Sequence, residues 1–342
     1  MYTFEQLMTP VWDSDIIYDE TLTMIRSNGV AKAPLLFEVE DILLVTSADK
    51  TIEYERDVDW ELQEGWLQLT SKSRIFAFQE EELVFEQEIP GQCFLTQDGR
   101  YSLFREGHFF HDRQIVVTYR KKRGDFSFIP TFCGHLLPKT MGKLLNQENV
   151  RIVLYGDSIA AGANSSGVTL ATPFLPRWGE LLQEALKRHY NTNVELFNTS
   201  VGGMNSYWGL ENAKKLVGDY KPDLAIIAFG MNDCDEPLQF AKNIKQIMEK
   251  IHEVSPETEF VLCATTVPNR ILRDFYKYQG DYGNALKRMQ KQGVAIADFG
   301  RMHQCMLEKK RFIDLTGNNV NHPNDFLIRC HAQLLATMLI ES

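Results

Sequence analysis

The 342-residue chain lacks any apolar run near the roughly 18 residues that a membrane span needs. Its opening residues show no basic segment followed by an apolar stretch, so no secretory leader is expected. Cysteine is sparse: there are six, at positions 93, 133, 234, 263, 305 and 330, and none forms a CxxC pair. That spacing offers no disulfide framework for a chain this long, and a reducing, cytoplasmic setting is the expectation. Positive charge is not in excess either. The formal net charge is -10, and residues 1–150 carry 15 Lys/Arg against 25 Asp/Glu, whereas residues 151–342 carry 21 of each. An acidic surface repels phosphate backbones, so neither nucleic acid nor membrane is an expected partner. Hydrophobic residues at 44% and charged residues at 24% fit a globular protein and exclude long disorder, collagen repeats and coiled coil.

What is present divides into two patterns. The first has no long helical period before about residue 140. It offers short strand candidates at 35–39, 42–45, 66–70, 82–86 and 114–119, separated by turn residues such as Asp98-Gly99. Many short strands at such spacing predict an antiparallel β-sandwich, jelly-roll-like, over residues 1–148. The second pattern, over 149–342, alternates apolar strands with amphipathic helices. Strands are expected at 151–155, 194–198, 224–229, 259–263 and 294–298, and helices at 178–190, 212–220, 240–254 and 282–292. That alternation predicts an α/β fold, a parallel sheet covered by helices on both faces.

In open α/β sheets the site lies beyond the carboxyl ends of the strands. Gly156-Asp157-Ser158 follows the first strand, Asn198-Thr199-Ser200-Val201-Gly202-Gly203 the second, and Gly230-Met231-Asn232-Asp233 the third. Near the C-terminus stands Asn318-Asn319-Val320-Asn321-His322-Pro323-Asn324-Asp325. These parts suit acyl transfer. The Ser158 hydroxyl attacks a carbonyl once a base removes its proton, and His322 is the candidate base. The oxyanion that forms needs fixed donors: the N–H groups of Ser158 and Gly203 and the Asn232 amide are the candidates. Asp157 and Asp233 read as structural groups within their turns.

The four blocks together resemble those of the SGNH (GDSL) hydrolases, with Ser158, Gly203, Asn232 and His322 at the four naming positions. The resemblance covers roughly residues 150–342. It implies a three-layer α/β/α domain and a serine-dependent carboxylic ester hydrolase that needs no metal or organic cofactor. An antiparallel sandwich ahead of such a domain resembles two-domain carbohydrate esterases, which implies a short acyl, acetyl ester on a carbohydrate as substrate. A thioesterase, a lysophospholipase or an acyltransferase would use the same site. A carbohydrate-binding protein with a degenerate hydrolase domain is the alternative of another class.

One position departs from the family pattern. The aspartate usual three residues before the histidine is Asn319 here. Three arrangements stay open: a Ser158–His322 dyad, a triad ending in Asn319, or a carboxylate from elsewhere, Asp325 and Asp314 being nearest in sequence. Tyr207 and Trp208, after the second block, are the expected walls of the substrate pocket. Arg105, Glu106 and His108 are placed at the mouth of the site, between the two parts of the chain. His108-x-x-His111 has metal-ligand character but no evident third ligand.

Overall fold

The computed structural model describes residues 3–122, 124 and 126–341. Three sheets occupy the N-terminal part. One joins Ile16–Leu22, Ile115–Lys121 and Val39–Ser47, all antiparallel. A second, five-stranded sheet runs Trp60–Gln63, Trp66–Leu69, Val30–Pro34, Ile25–Ser27 and Phe78–Gln79, antiparallel save for its last pair. A third, small sheet sets Tyr101–Leu103 between Val84–Phe85 and Cys93–Leu95.

The C-terminal part builds one parallel sheet. Its spatial order is Val194–Asn198, Val150–Gly156, Leu224–Ala228, Glu259–Ala264 and Val294–Asp298. The first strand in sequence thus lies between the second and the third. Connections leave it toward opposite sides, which opens a crevice at the carboxyl ends of the first and third strands.

The continuous apolar character of these strands has a direct cause: alternate residues feed two cores. Ile152 and Leu154 pack on one face with Trp178, Leu181 and Phe326, while Val153 and Tyr155 pack on the other with Ala213, Phe240 and Ile247. Helices Trp178–Tyr190 and Asp325–Leu339 cover the first face, and Ser206–Leu216 and Pro237–His252 the second. This is the three-layer α/β architecture, preceded by antiparallel sheets. Among the described residues no helix is long and apolar enough to cross a membrane.

The first of these cores continues into the N-terminal part, taking in Ile17, Leu22, Val45, Val117 and Tyr119. A buried ion pair fastens the same junction. Lys310 Nζ donates to Glu20 at 2.6 Å and to the carbonyls of Thr21 and Pro34, and both charged side chains are wholly buried.

Candidate active site

Strand Val150–Gly156 ends against strand Leu224–Ala228. A Cβ at Gly156 would lie 2.1 Å from the Ala228 carbonyl oxygen, so only glycine lets the chain turn here. The buried Asp157 fixes that turn. Its two carboxylate oxygens accept from the N–H groups of Ile159 and Met231, at 2.9 and 3.2 Å. Asp157 thereby ties the first block to the third. Burial pushes its carboxyl up to about 7, against the two backbone donors that pull the other way.

Ser158 stands on this turn, and its hydroxyl lies 2.9 Å from His322 Nε2. His322 is carried by a self-bonded loop. Asn318 Oδ1 accepts from the N–H groups of Val320, Asn321 and His322, and Thr316 Oγ1 donates to the His322 carbonyl at 2.9 Å. The other ring nitrogen, Nδ1, lies 2.7 Å from Asn164 Oδ1. Asn164 Nδ2 donates to the carbonyls of Gly107 and Gly317, at 2.9 and 3.3 Å, which turns Oδ1 toward the ring. Since Oδ1 can only accept, Nδ1 carries the proton, and Nε2 presents its lone pair to the Ser158 hydroxyl. This is the tautomer a general base requires.

A carboxylate stands beside the same nitrogen. Glu106 Oε1 is 3.4 Å from His322 Nδ1 and accepts from Asn318 Nδ2 at 3.1 Å. Burial alone would raise the Glu106 carboxyl. The hydrogen bond and charge of His322, with Asn318 and Asn164, outweigh it and hold the group below the ordinary glutamate value.

Gly203 has φ +77°, in the left-handed region that glycine enters without strain. Neither its N–H nor that of Ser158 is taken by another described residue. Asn232 Nδ2 gives one hydrogen to the Met204 carbonyl at 3.0 Å, and an amide has two to give. Ser158, Gly202, Gly203, Asn232 and His322 line one cavity of about 370 Å³, together with Glu106, Phe94, Phe104, Phe275, Val320 and Asn321. Three phenyl rings form a wall, Phe94 lying 4.9 Å from Phe104 and 4.7 Å from Phe275 between centroids. Phe94 and Phe104 come from the N-terminal part. The segment carrying Phe94 is docked on a C-terminal loop, where Arg273 N–H donates to the Leu95 carbonyl and Gln97 N–H to that of Ile271.

The structure therefore brings Ser158, Gly203, Asn232 and His322 to one cavity, with Glu106 at its edge. The expected partners of His322 lie elsewhere. Asn319 sits at φ +63° and its amide turns away, donating to Ser102 Oγ and to the Leu103 carbonyl at 3.2 and 2.9 Å. Asp325 opens the last helix and accepts from Ser166 N–H at 2.8 Å. Asp314 accepts from Thr23 N–H and pairs with Arg311. Asn164 takes the place beside the ring. No motif marks it: it is one polar residue of a turn, and only the fold sets it against a histidine far along the chain.

Tyr207 and Trp208 do not line the cavity. Trp208 packs in the second core with its ring 5.9 Å from that of Tyr155, and the half-exposed Tyr207 donates to Asp235. Both belong to helix Ser206–Leu216, which begins beyond the Gly202-Gly203 turn and lies against the sheet. Of the residues placed at the mouth, Arg105 lies over the Phe109 ring and His108 pairs with Asp112 at 2.6 Å. His111 bonds the Thr172 carbonyl, so the two histidines of the His-x-x-His segment have separate protein partners.

Comparison with known proteins places this geometry. Residues 154–326 match the model of the GDSL-like Lipase/Acylhydrolase family. An arylesterase of Vibrio mimicus is 31% identical over 88 residues, 26% of this chain and 40% of that protein. An uncharacterized protein of Mycoplasma pneumoniae is 23% identical over 211 residues, 59% of this chain and 22% of its own. The chain thus spans less than half the length of these curated relatives. Among solved structures, a two-domain esterase active on acetylated mannans is 19% identical, with a TM-score of 0.49, over 60% of this chain and 53% of its own. With its four blocks gathered in one cavity and half of its length matched by the family model, the chain belongs to the GDSL-like lipase/acylhydrolase family.

Proposed function

We propose that this protein is a serine esterase that removes short acyl groups, acetyl above all, from a carbohydrate through an acyl-enzyme. The observation that carries the reading is the 2.9 Å contact between Ser158 Oγ and a His322 ring whose other nitrogen is already anchored. Ser158 Oγ attacks the ester carbonyl carbon as its proton passes to His322 Nε2. The carbonyl oxygen becomes an oxyanion within reach of the Ser158 and Gly203 N–H groups and the free hydrogen of the Asn232 amide. His322 then returns the proton to the departing alcohol, leaving acyl-Ser158. Water, deprotonated by His322, attacks the acyl carbon, and the carboxylic acid leaves as the serine proton is restored.

The cavity has room for an acyl group beside Ser158, and the Phe94, Phe104 and Phe275 wall offers apolar ring faces to the alcohol part of a substrate. Acyl transfer to a sugar hydroxyl would use the same acyl-enzyme. Against a degenerate hydrolase domain, the anchoring of the His322 ring by Asn164 supports a working base. The test is hydrolysis of p-nitrophenyl acetate and p-nitrophenyl octanoate by the wild type and Ser158→Ala. Acetate turnover that exceeds octanoate turnover and falls by at least about 1,000-fold in the variant is expected. Comparable octanoate turnover would move the reading to lipid or thioester substrates, and turnover indifferent to Ser158 would overturn it.

A further inference from the structure

We propose that Glu106, supplied by the N-terminal part of the chain, is the charge partner of His322, and that it shares with Asn164 the work one aspartate does beside a catalytic histidine. That work has two components: holding the imidazole in one tautomer, and stabilising the imidazolium that forms when the proton arrives. Asn164 performs the first, since Oδ1 accepts from Nδ1 at 2.7 Å and its amide group is itself held by two carbonyls. A neutral amide cannot perform the second. Glu106 Oε1, 3.4 Å from the same nitrogen, brings the charge.

The carboxylate is placed rather than incidental. Asn318, wholly buried, donates to Glu106 through Nδ2 while its Oδ1 accepts from the His322 N–H. One side chain thus sets the histidine loop and the carboxylate to a common register. Asn319 adds a second clamp, holding the Leu103 carbonyl three residues before Glu106. Glu106 is a positioning residue in this scheme, acting on substrate only through His322. Its effect on rate rests on the esterase reading; its effect on the histidine does not.

Asp157, behind the nucleophile turn, also interacts with the charge of His322. It is unaltered in a Glu106 variant, so a comparison with the wild type isolates Glu106. Glu106→Gln keeps the shape and one acceptor oxygen and removes the charge. We expect an NMR titration to find the His322 pKa lower by about one unit in Glu106→Gln, the small end of a nearby-charge effect because Glu106 is half-exposed. The acid limb of kcat/KM for p-nitrophenyl acetate should move to lower pH by the same amount, with the plateau falling by about 10-fold. Glu106→Asp, which returns the charge on a shorter stem, should recover part of both shifts. An unchanged His322 pKa in Glu106→Gln overturns the proposal and leaves Ser158-dependent hydrolysis standing. A Glu106→Gln protein that melts far below the wild type also overturns it, since the carboxylate would then serve the fold. Turnover indifferent to Ser158 retires the esterase reading, while the NMR shift still decides the role of Glu106.

Discussion

At the scale of single residues, the cavity separates groups that react from groups that hold them. Asn232 belongs to the first kind. In the reaction proposed above its free amide hydrogen is used only once an oxyanion exists, so Asn232→Ala should lower kcat by about 100- to 1,000-fold with little change in KM, read by steady-state kinetics on p-nitrophenyl acetate. A rise in KM with kcat unchanged would place the amide on the ground-state substrate instead. Four of the cavity residues, Ser158, Gly203, Asn232 and His322, are legible in the sequence because each sits in a block beside polar and glycine residues, and three of those blocks directly follow a strand. Asn164 and Glu106 are not legible as partners of the histidine. They meet His322 through space, across the sheet crevice and across the N-terminal junction, and nothing in their neighbours sets them apart. Asn319 misleads for a related reason. The family spacing points to it, but a left-handed backbone at φ +63° swings its amide onto the strand Tyr101–Leu103.

At the scale of elements, the loop from Thr316 to Pro323 is the part most exposed to small changes. Asn318 Oδ1 accepts three backbone N–H groups there, and its amide reaches Glu106 and Asn321. Asn318→Ala strands those donors in a buried place. A loss of about 1–3 kcal/mol of stability by urea unfolding is expected, with kcat down by 10-fold or more as His322 loses its register. An unaltered kcat would show that the contacts of the ring with Asn164 and Ser158 position it without Asn318. The parallel sheet and its helices read well from sequence. Helix Trp178–Tyr190 and strands Val194–Asn198 and Val294–Asp298 fall where period and punctuation put them. The N-terminal strands read less well. The apolar run 35–39 is mostly a connection between Val30–Pro34 and Val39–Ser47. The alternating stretch 82–86 begins as helix Glu80–Leu83, whose first turn is closed by Gln79 N–H donating to Glu82 Oε2 at 2.6 Å. Apolar alternation looks alike in both settings, and the local cap decides.

At the scale of the whole molecule, one core runs from Leu7 to Leu339, although composition and period change near residue 148. Its C-terminal side holds two histidines, His303 and His331, whose ring nitrogens make no hydrogen bond to any described residue. His331 stacks on Phe299 with centroids 4.2 Å apart. Burial lowers both to about 3, from an ordinary value near 6.5, with a smaller push from Arg270 on His303 and from His303 on His331. Below pH 6.5 the unfolded chain takes up two protons that the folded chain refuses. Their contribution to stability is therefore complete above that pH and is lost as the pH falls toward 3, by about 2 kcal/mol per histidine at pH 5. The Asp157 carboxyl, raised to about 7, changes stability the opposite way over the same range. The difference between wild-type and His331→Phe melting curves from pH 7 to 5 therefore isolates one histidine, the variant losing less stability on acidification. An equal slope in the variant would mean that the ring is already paired. The clamp of Asn319 on the strand Tyr101–Leu103 reaches furthest, because Phe104 and Glu106 follow directly. The wall that would choose a substrate and the carboxylate that would tune the base share one stretch of chain. Trading that stretch for another, to admit a new alcohol, would also reset the acidity at which the enzyme works, so selectivity and working range would evolve as a single trait.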